Sequence, residues 1–364
     1  MFGTILGPYR LLAPLGAGAT WEVHAAEDTR SGGRVAIKLL RNRPAPGPAW
    51  PETRETTAHP VEAINEAPGL DTPHRRQERR GSCLVPEPRP LPESQAKDAL
   101  RAASSLEHPN ICALYDFGDF GGRIYVVVEA LEGPPLPALL AGGALETGRL
   151  LDIGVQVAAA LAEAHGRGVV HGGLTAGHVH VDDAGRVKVR DFGLAGVRSP
   201  ASAAGAGCSA SYMAPEMARG EPIDPRADLF SFGVILYEMA TGRLPFAGAT
   251  EAQVIEAVLH HEPASPGTLN PRLPIGLVQL VNEALCKDPA ERRTGAAGIR
   301  DRLAEIRQAP GGLDGLLPAE HVSTGSAVYG TRPGNRNTAS LARPSGDRHP
   351  DTTRPRPWLP PTGE

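Results

Sequence analysis

The amino-acid sequence predicts an α+β fold in which a small β-rich N-terminal part precedes a larger helical part. Apolar and polar residues alternate in short runs over 9–40 and again over 113–129, which is typical of strands. Apolar residues recur at helical spacing over most of 136–303. With 364 residues, the chain is long enough for one large two-part domain with accessory segments.

Five strands and one helix are predicted in the N-terminal part. The first two strands flank a glycine-rich turn, and the helix separates the third strand from the last two. Proline, glutamate and arginine dominate residues 43–93, where apolar periodicity is lost, so this insertion is predicted to be disordered. The predicted elements are the strands Tyr9–Leu15, Trp21–Glu27 and Arg34–Leu40, the helix Ser94–Leu106, and the strands Ala113–Asp119 and Arg123–Glu129.

The helical part contains three clearly amphipathic segments, Glu146–Arg167, Leu229–Thr241 and Glu251–His260. This part is predicted to end at residue 308, because residues 309–364 are rich in Pro, Gly, Ser, Thr and Arg. A segment of that composition cannot bury enough apolar surface to offset the entropy lost on ordering. We therefore expect the C-terminal tail to be disordered.

The overall composition argues against several classes of protein. A net charge of −4 and a pI of about 6.3 do not fit a nucleic-acid-binding protein, which usually carries a basic stripe. The four cysteines are far apart and show no zinc spacing, which fits free thiols in a reducing cytoplasm. No apolar run reaches the length of a membrane span and no signal peptide is recognisable, so we expect a cytoplasmic protein.

Five short motifs follow one another in order along the chain. Taken alone, each has an ordinary interpretation: a GxG pair is more often a hairpin turn, and a histidine before two glycines is a flexible turn. The chain has only four lysines, so a lysine inside a motif is less readily an accident. The motifs are Gly16-Ala17-Gly18, Val35-Ala36-Ile37-Lys38, His171-Gly172-Gly173, Asp191-Phe192-Gly193 and Ala214-Pro215-Glu216.

This ordered series resembles the bacterial serine/threonine protein kinase family over about residues 9–308. The resemblance implies a bilobal kinase-like fold with an N-lobe over 9–131, a helical C-lobe over 132–308 and a hinge near 129–132. It implies ATP and Mg²⁺ as cofactors, with Asp191 as a metal ligand. The ATP-binding positions that it implies are Leu15, Gly16, Gly18, Val23, Ala36, Lys38, Val128 as gatekeeper, Glu129, Leu131 and His180.

The chain departs from the family pattern where the family performs its chemistry. Gly173 replaces the aspartate that accepts the proton of the substrate hydroxyl, and Thr175 replaces the usual lysine. His178 replaces the asparagine that holds the second Mg²⁺, although Mg²⁺ prefers oxygen ligands to imidazole. Gly172 stands in place of the arginine that would contact a phosphorylated activation loop. The catalytic loop is therefore predicted to be degenerate.

The nucleotide-binding positions depart from the pattern as well. Trp21 occupies the place of the third loop glycine, and His180 occupies the apolar floor under adenine, so both predict weakened ATP binding. Ala99 falls where a helix glutamate should pair with the third-strand lysine. Asp98, or more weakly Glu93, could replace that glutamate only if the helix rotated or slipped.

Other motif positions have structural or regulatory interpretations. Asp228 matches the buried aspartate that braces the catalytic loop, and Glu216 and Arg292 match a glutamate–arginine pair of the C-lobe. Some serines between Asp191 and Glu216 could be phosphorylated by another kinase, although serines in such a loop are more often plain loop residues. These serines are Ser199, Ser202, Ser209 and Ser211.

The sequence therefore predicts a pseudokinase, which acts as a binding or scaffolding module or as an ATP-sensing switch for other signalling proteins. The alternative is an active serine/threonine kinase that transfers the γ-phosphate of ATP to protein with a rearranged site. In that case His171 or His178 would be the first candidates for the base, because imidazole titrates near neutral pH. Gly173 is the residue on which the two predictions differ most.

Overall fold

The computed structural model of the chain describes most of the predicted domain. The predicted insertion and C-terminal tail lie outside the described residues, except for their boundary residues Glu93 and Ala309. None of the helices in the described part is both long and apolar enough to cross a bilayer. The described residues are 4–18, 20–41, 93–195, 197 and 210–309.

The N-lobe is built on one antiparallel sheet. Its strands are β1 Ile5–Leu6, β2 Tyr9–Ala17, β3 Trp21–Asp28, β4 Arg34–Leu40, β5 Leu114–Phe120 and β6 Arg123–Glu129. They lie in the order β1-β2-β3-β4-β6-β5. The sheet thus has six strands where the sequence predicts five, because β1 has only two residues and is too short to give an alternating pattern.

Strand β4 carries side chains into two separate apolar clusters of the N-lobe. Ala36 packs on one face with Leu100 of helix α1, which spans Glu93–Ser104. Ile37 packs on the opposite face, away from that helix. Because side chains alternate along a strand, Lys38 emerges on the same face as Ala36. The alternation therefore places the lysine between the sheet and α1.

The C-lobe is helical, and α3 and α5 carry much of its buried surface. Helix α5 begins four residues before the predicted start, because Asp224 accepts a hydrogen bond from the Arg226 N–H and Pro225 suits the first helical position. The helices are α2 Leu136–Leu140, α3 Thr147–Gly166, α4 Pro215–Ala218, α5 Pro225–Thr241, α6 Glu251–His260, α7 Pro266–Leu269, α8 Ile275–Ala284 and α9 Ala296–Gln308.

A short hairpin underlies the connection between the lobes. Its strands are β7 Val179–Val181 and β8 Val187–Val189. The Val181 N–H donates to the carbonyl of Pro134 at 3.1 Å, which ties the connection to the C-lobe. Gly133 precedes this contact with a φ of +79°, and a Cβ built there would lie 2.3 Å from the Val181 oxygen. Glycine is therefore required at this position by both its backbone conformation and its surroundings.

Candidate functional site

A cleft of about 430 Å³ lies between the glycine-rich turn, β4 and β6 on one side and the β7–β8 hairpin on the other. All ten residues predicted to surround ATP line this cleft. The cleft also brings in Gly173, His178 and Asp191 from the catalytic and metal-binding motifs. Further lining residues that sequence reasoning did not single out are Thr20, Cys112, Arg190, Leu194, Ala195 and Val197.

The Lys38 ammonium forms an ion pair with Oδ1 of Asp191 across the cleft. The side chains of Lys38 and Asp191 are only 5% and 14% exposed, so the pair is shielded from water. Burial raises the pKa of Asp191, but the charges of Lys38 and Arg190 outweigh burial and hold this pKa well below its usual range. Asp191 also adopts a φ of +75°, which is rare for a residue with a side chain.

Among the described side chains of helix α1, none places a carboxylate beside Lys38. Ala99 occupies the predicted glutamate position, and its carbonyl oxygen lies 2.9 Å from where a Cβ on Gly193 would stand. Asp98 does not replace the glutamate, because its exposed carboxylate pairs with Arg101 at 2.7 Å. The side chain of Glu93 lies outside the described residues. Lys38 is therefore held by the metal-binding motif rather than by Asp98 or Ala99.

Asp228 fixes the backbone of the catalytic loop. Its buried carboxylate accepts hydrogen bonds from the N–H groups of His171 and Gly172, each at 2.8 Å. The third partner is Nε2 of His165, at 2.9 Å from the carboxylate. Gly173 follows with no side chain, and a Cβ there would meet only Ala195, at 3.6 Å. The loop is thus held in place, but the residue at the base position offers no proton acceptor.

His178 is bound to its own loop. Nδ1 lies 3.2 Å from the backbone N–H of Thr175 and 3.1 Å from its hydroxyl. Because a backbone N–H can only donate, Nδ1 is the acceptor and the ring proton lies on Nε2. Nε2 lies 3.7 Å from Oδ2 of Asp191. Burial lowers the pKa of His178 well below its usual value despite the nearby Asp191, so the ring is neutral at pH 7.

The other two histidines of the cleft are also turned toward the backbone. His171 is 2% exposed, and its Nε2 lies 3.0 Å from the carbonyl of Arg190. Its ring packs edge-on against Phe192, with centroids 4.9 Å apart. His180 places Nδ1 3.3 Å from the Gly133 carbonyl. His171 Nδ1 and His180 Nε2 are buried with no hydrogen-bond partner in the described part of the chain.

Arg190 is a cleft residue that no motif indicates, since it stands directly before Asp191. Its Nη2 donates to the carbonyl of Gly177 at 3.1 Å. Its Nε lies 3.9 Å from Oδ2 of Asp191 and is buried without a hydrogen-bond partner among the described residues. A second basic side chain therefore lies beside Asp191, on the side of the catalytic loop.

The hinge side of the cleft is held by Glu129. Its carboxylate pairs with Lys188 of β8 at 2.8 Å and accepts from the Ala113 N–H at 3.2 Å. Cys112 lies next to this contact, and its thiol donates to the Glu129 carbonyl at 3.7 Å. Burial raises the pKa of Cys112 to about 12, so this cleft thiol is protonated at neutral pH.

Trp21 is the first residue of β3 and directly follows the glycine-rich turn. Its carbonyl accepts a hydrogen bond from the Gly18 N–H at 2.8 Å, which closes the turn. Its indole lines the cleft and packs against the apolar cluster that contains Leu100. The Gly18 N–H is consequently used within the turn rather than left free for a phosphate.

Two C-lobe predictions concern residues away from the cleft. Glu216 and Arg292 form a bidentate ion pair, with N–O distances of 2.6 and 3.0 Å, and both residues are buried. Ser211 is 9% exposed, so its phosphorylation would require the segment to leave its packed position. The other three candidate serines, Ser199, Ser202 and Ser209, lie outside the described residues.

Comparison with known proteins agrees with this geometry. The protein kinase domain model matches residues 90–304, which is more than half of the 364-residue chain. Similar proteins include a Streptomyces coelicolor protein described as a probable serine/threonine-protein kinase, with 31% identity over 349 residues, covering 92% of this chain and 45% of that protein. The serine/threonine-protein kinase PrkC of Bacillus subtilis is 30% identical over 309 residues, covering 84% and 41%.

A third relative, the serine/threonine-protein kinase PknA of Mycobacterium tuberculosis, is 29% identical over 363 residues, covering 97% of this chain and 73% of PknA. The chain spans less than half the length of the Streptomyces and Bacillus relatives. The N-lobe sheet, the helical C-lobe and the ordered motifs agree with the match to the domain model. This chain belongs to the protein kinase family.

Proposed function

We propose that this chain is a pseudokinase, a protein of kinase fold that binds signalling partners and nucleotide without transferring phosphate at a kinase rate. The observation that carries the proposal is the absence of an acceptor at Gly173. Of the residues described around the cleft, two are carboxylates, and both are engaged: Glu129 pairs with Lys188, and Asp191 pairs with Lys38. No lining carboxylate therefore stands ready to take the proton of a substrate hydroxyl.

The histidines of the cleft do not supply this function either. Nδ1 of His178 accepts from the Thr175 backbone, and its Nε2 carries the proton toward Asp191. Nδ1 of His171 has no hydrogen-bond partner among the described residues, but it is buried, and its ring packs against Phe192 of the Asp-Phe-Gly motif. Loss of a general base reduces a rate by roughly 10²–10⁴, and kinases turn over at about 1–100 s⁻¹. The expected turnover thus falls to between about one phosphate transfer per second and one transfer every few hours.

Nucleotide binding remains part of the proposal. Lys38 and the apolar residues Val23, Ala36 and Leu131 line the cleft, as a nucleotide site of this family requires. The cleft keeps the lobes, the hinge and the lysine of a nucleotide site but lacks a base. Such a cleft suits a switch in which nucleotide stabilises one arrangement of the lobes. The regulated partners would be other signalling proteins.

The test is transfer of labelled γ-phosphate by the full chain, to itself and to a generic protein substrate, with Mg²⁺. The expected result is transfer close to the level of the Asp191→Ala variant. Nucleotide binding is measured separately, by calorimetry. An ordinary kinase rate that Asp191→Ala abolishes would show that the active-kinase alternative is correct and that another base operates.

A further inference from the structure

The donor set beside Asp191 does not fit Mg²⁺. The ion prefers about six oxygen ligands, which in kinase sites come from carboxylates, an asparagine, phosphates and water. Here the one carboxylate, Asp191, is already paired with Lys38 and lies 3.9 Å from Nε of Arg190. The asparagine position holds His178, whose proton faces Asp191. Within the described residues, no cluster of three potential metal-binding side chains exists.

The same residues form a good environment for phosphate. Lys38 and Arg190 both line the cleft, and they lie beside different carboxylate oxygens of Asp191, Oδ1 and Oδ2. Arg190 uses Nη2 on the Gly177 carbonyl, while its buried Nε has no hydrogen-bond partner in the described chain. A guanidinium has five N–H donors and binds phosphate oxygens in a fork geometry. The unused donor capacity of Arg190 therefore lies where a nucleotide's phosphates would need charge compensation.

We propose that the cleft binds the polyphosphate of a nucleoside di- or triphosphate without a divalent cation, with Lys38 and Arg190 neutralising the charge that Mg²⁺ carries in active kinases. This inference rests on the nucleotide binding included in the proposed function. Asp191 acts in it as an anchor that positions both cations rather than as a metal ligand. Arg190 is the residue that distinguishes this mode of binding, since Lys38 contacts phosphates in active kinases as well.

The test measures the affinity of the full chain for ATP by calorimetry, once with EDTA and once with excess Mg²⁺. We expect the two dissociation constants to agree within about threefold, because the cations of the protein replace the metal. Adenosine is the second probe, because it fills the base and ribose positions but carries no phosphate. Its affinity should not depend on the residue at position 190.

The informative variant is Arg190→Gln, which removes the charge and keeps much of the length. It should weaken ATP binding in EDTA about tenfold, the effect of losing one charge-assisted hydrogen bond, and leave adenosine binding unchanged. Arg190→Lys, which keeps the charge, should lose less affinity for ATP than Arg190→Gln. Arg186→Gln is the matched control, because Arg186 directly precedes β8 as Arg190 directly follows it, but Arg186 is exposed and pairs with Asp182. Thermal melting verifies that each variant is folded.

The inference would be overturned by ATP binding that Mg²⁺ strengthens by more than about threefold. It would also be overturned by an Arg190→Gln variant that binds ATP in EDTA as tightly as the unmodified chain. Absence of ATP binding in both conditions would overturn it too, and would leave a pseudokinase that acts as a scaffold. Mg²⁺-dependent binding without phosphate transfer leaves the pseudokinase proposal intact. Phosphate transfer at a kinase rate is the separate result that overturns the pseudokinase proposal.

Discussion

Lys38 of β4 and Asp191, the first residue of the Asp-Phe-Gly motif, form a buried ion pair that joins the N-lobe to the floor of the cleft. In an active kinase the lysine pairs with a helix glutamate and the aspartate binds metal. With Ala99 in the glutamate position, Lys38 pairs with Asp191 instead of with the helix. The pair therefore links the loss of the helix glutamate to the altered environment of the metal-binding motif.

Removing only Lys38 should destabilise the protein more than removing the whole pair. Lys38→Met leaves the Asp191 charge buried without its main partner, which typically costs about 3–5 kcal/mol in free energy of unfolding. The double variant Lys38→Met/Asp191→Asn should recover most of this loss, because it removes the buried carboxylate charge and because asparagine tolerates the positive φ of this position. Urea unfolding measures both values. A double variant as unstable as the single one would show that the pair does not act as a unit.

The same pair predicts how stability depends on pH. The pKa of Asp191 in the folded state lies below that of the unfolded chain. Its contribution to stability is therefore complete above the unfolded pKa of about 4 and is lost as pH falls toward the folded value. From pH 7 to pH 3, the unmodified chain should lose more unfolding free energy than the Lys38→Met/Asp191→Asn variant, which lacks the titrating carboxylate. A pH-independent difference would contradict this assignment.

The Glu216–Arg292 pair should contribute far more to stability than an exposed pair of the same type. Both side chains are at most 5% exposed, so Arg292→Ala leaves a buried carboxylate unpaired and should cost about 3–5 kcal/mol. The control is Arg307→Ala, which removes an exposed pair with Asp152 and should change stability by less than about 1 kcal/mol. Equal effects in urea unfolding would show that burial does not determine the contribution of Arg292.

Local patterns in the sequence were sufficient to predict most of the N-lobe strands and the positions of the kinase motifs. The Val-Ala-Ile-Lys motif implies Lys38 as an ATP-binding position, and Lys38 lines the cleft. Apolar periodicity predicts the start of α5 four residues late, although Asp224 followed by Pro225 is a recognisable helix start. The capping signal therefore defines the start of this helix better than apolar periodicity does.

The contacts inside the cleft could not be predicted in the same way. The partner of Lys38 depends on which carboxylates the folded chain brings near it, and Asp98 is only one helix position from the expected glutamate. Arg190 belongs to no recognised motif, so its position in the cleft cannot be predicted from the sequence. The tautomer of His178 follows from a hydrogen bond to Thr175 that is visible only in three dimensions. Charge compensation in a site is a property of the fold, not of spacing along the chain.

Gly133 should tolerate substitution much less well than Gly185, although both have nearly the same backbone conformation. Their φ angles are +79° and +77°, but only Gly133 would place a Cβ 2.3 Å from a backbone oxygen, whereas Gly185 faces open space. Gly185→Ala should therefore cost only the strain of the left-handed conformation, about 1–2 kcal/mol. Gly133→Ala should cost more and also weaken ATP binding, because the hinge must shift. Similar melting temperatures for the two variants would contradict this.

Cys112 should be unreactive in the folded protein although it lines the cleft. Burial raises its pKa to about 12, so roughly one part in ten thousand is thiolate at pH 8. Its alkylation by iodoacetamide, followed by mass spectrometry of the Cys112 peptide, should be slow at pH 8 and accelerate as pH rises toward 12. Unfolding in urea provides the control, because the thiol should then react with an ordinary pKa near 8.5. Rapid labelling at pH 8 without urea would contradict the prediction that burial keeps the Cys112 thiol protonated.

Two substitutions in the catalytic loop should partly restore catalysis. Gly173→Asp with His178→Asn restores the base and the second metal-ligand position, and a Cβ at Gly173 meets only Ala195, at an ordinary 3.6 Å. We expect labelled phosphate transfer to rise by roughly 10²–10³ above that of the unmodified chain, since a general base contributes about 10²–10⁴. The rate should stay below that of ordinary kinases, because Lys38 still pairs with Asp191.

Adding Ala99→Glu to this double variant should raise transfer further by offering Lys38 a second carboxylate and releasing Asp191 for metal. The matched control is Ala102→Glu, which adds the same charge to an exposed position of α1 and should have no effect on transfer. If Ala99→Glu and Ala102→Glu act alike, the missing helix glutamate is not what limits the site. If the unmodified chain already transfers phosphate as fast as the double variant, Gly173 does not determine activity and the chain possesses a base elsewhere.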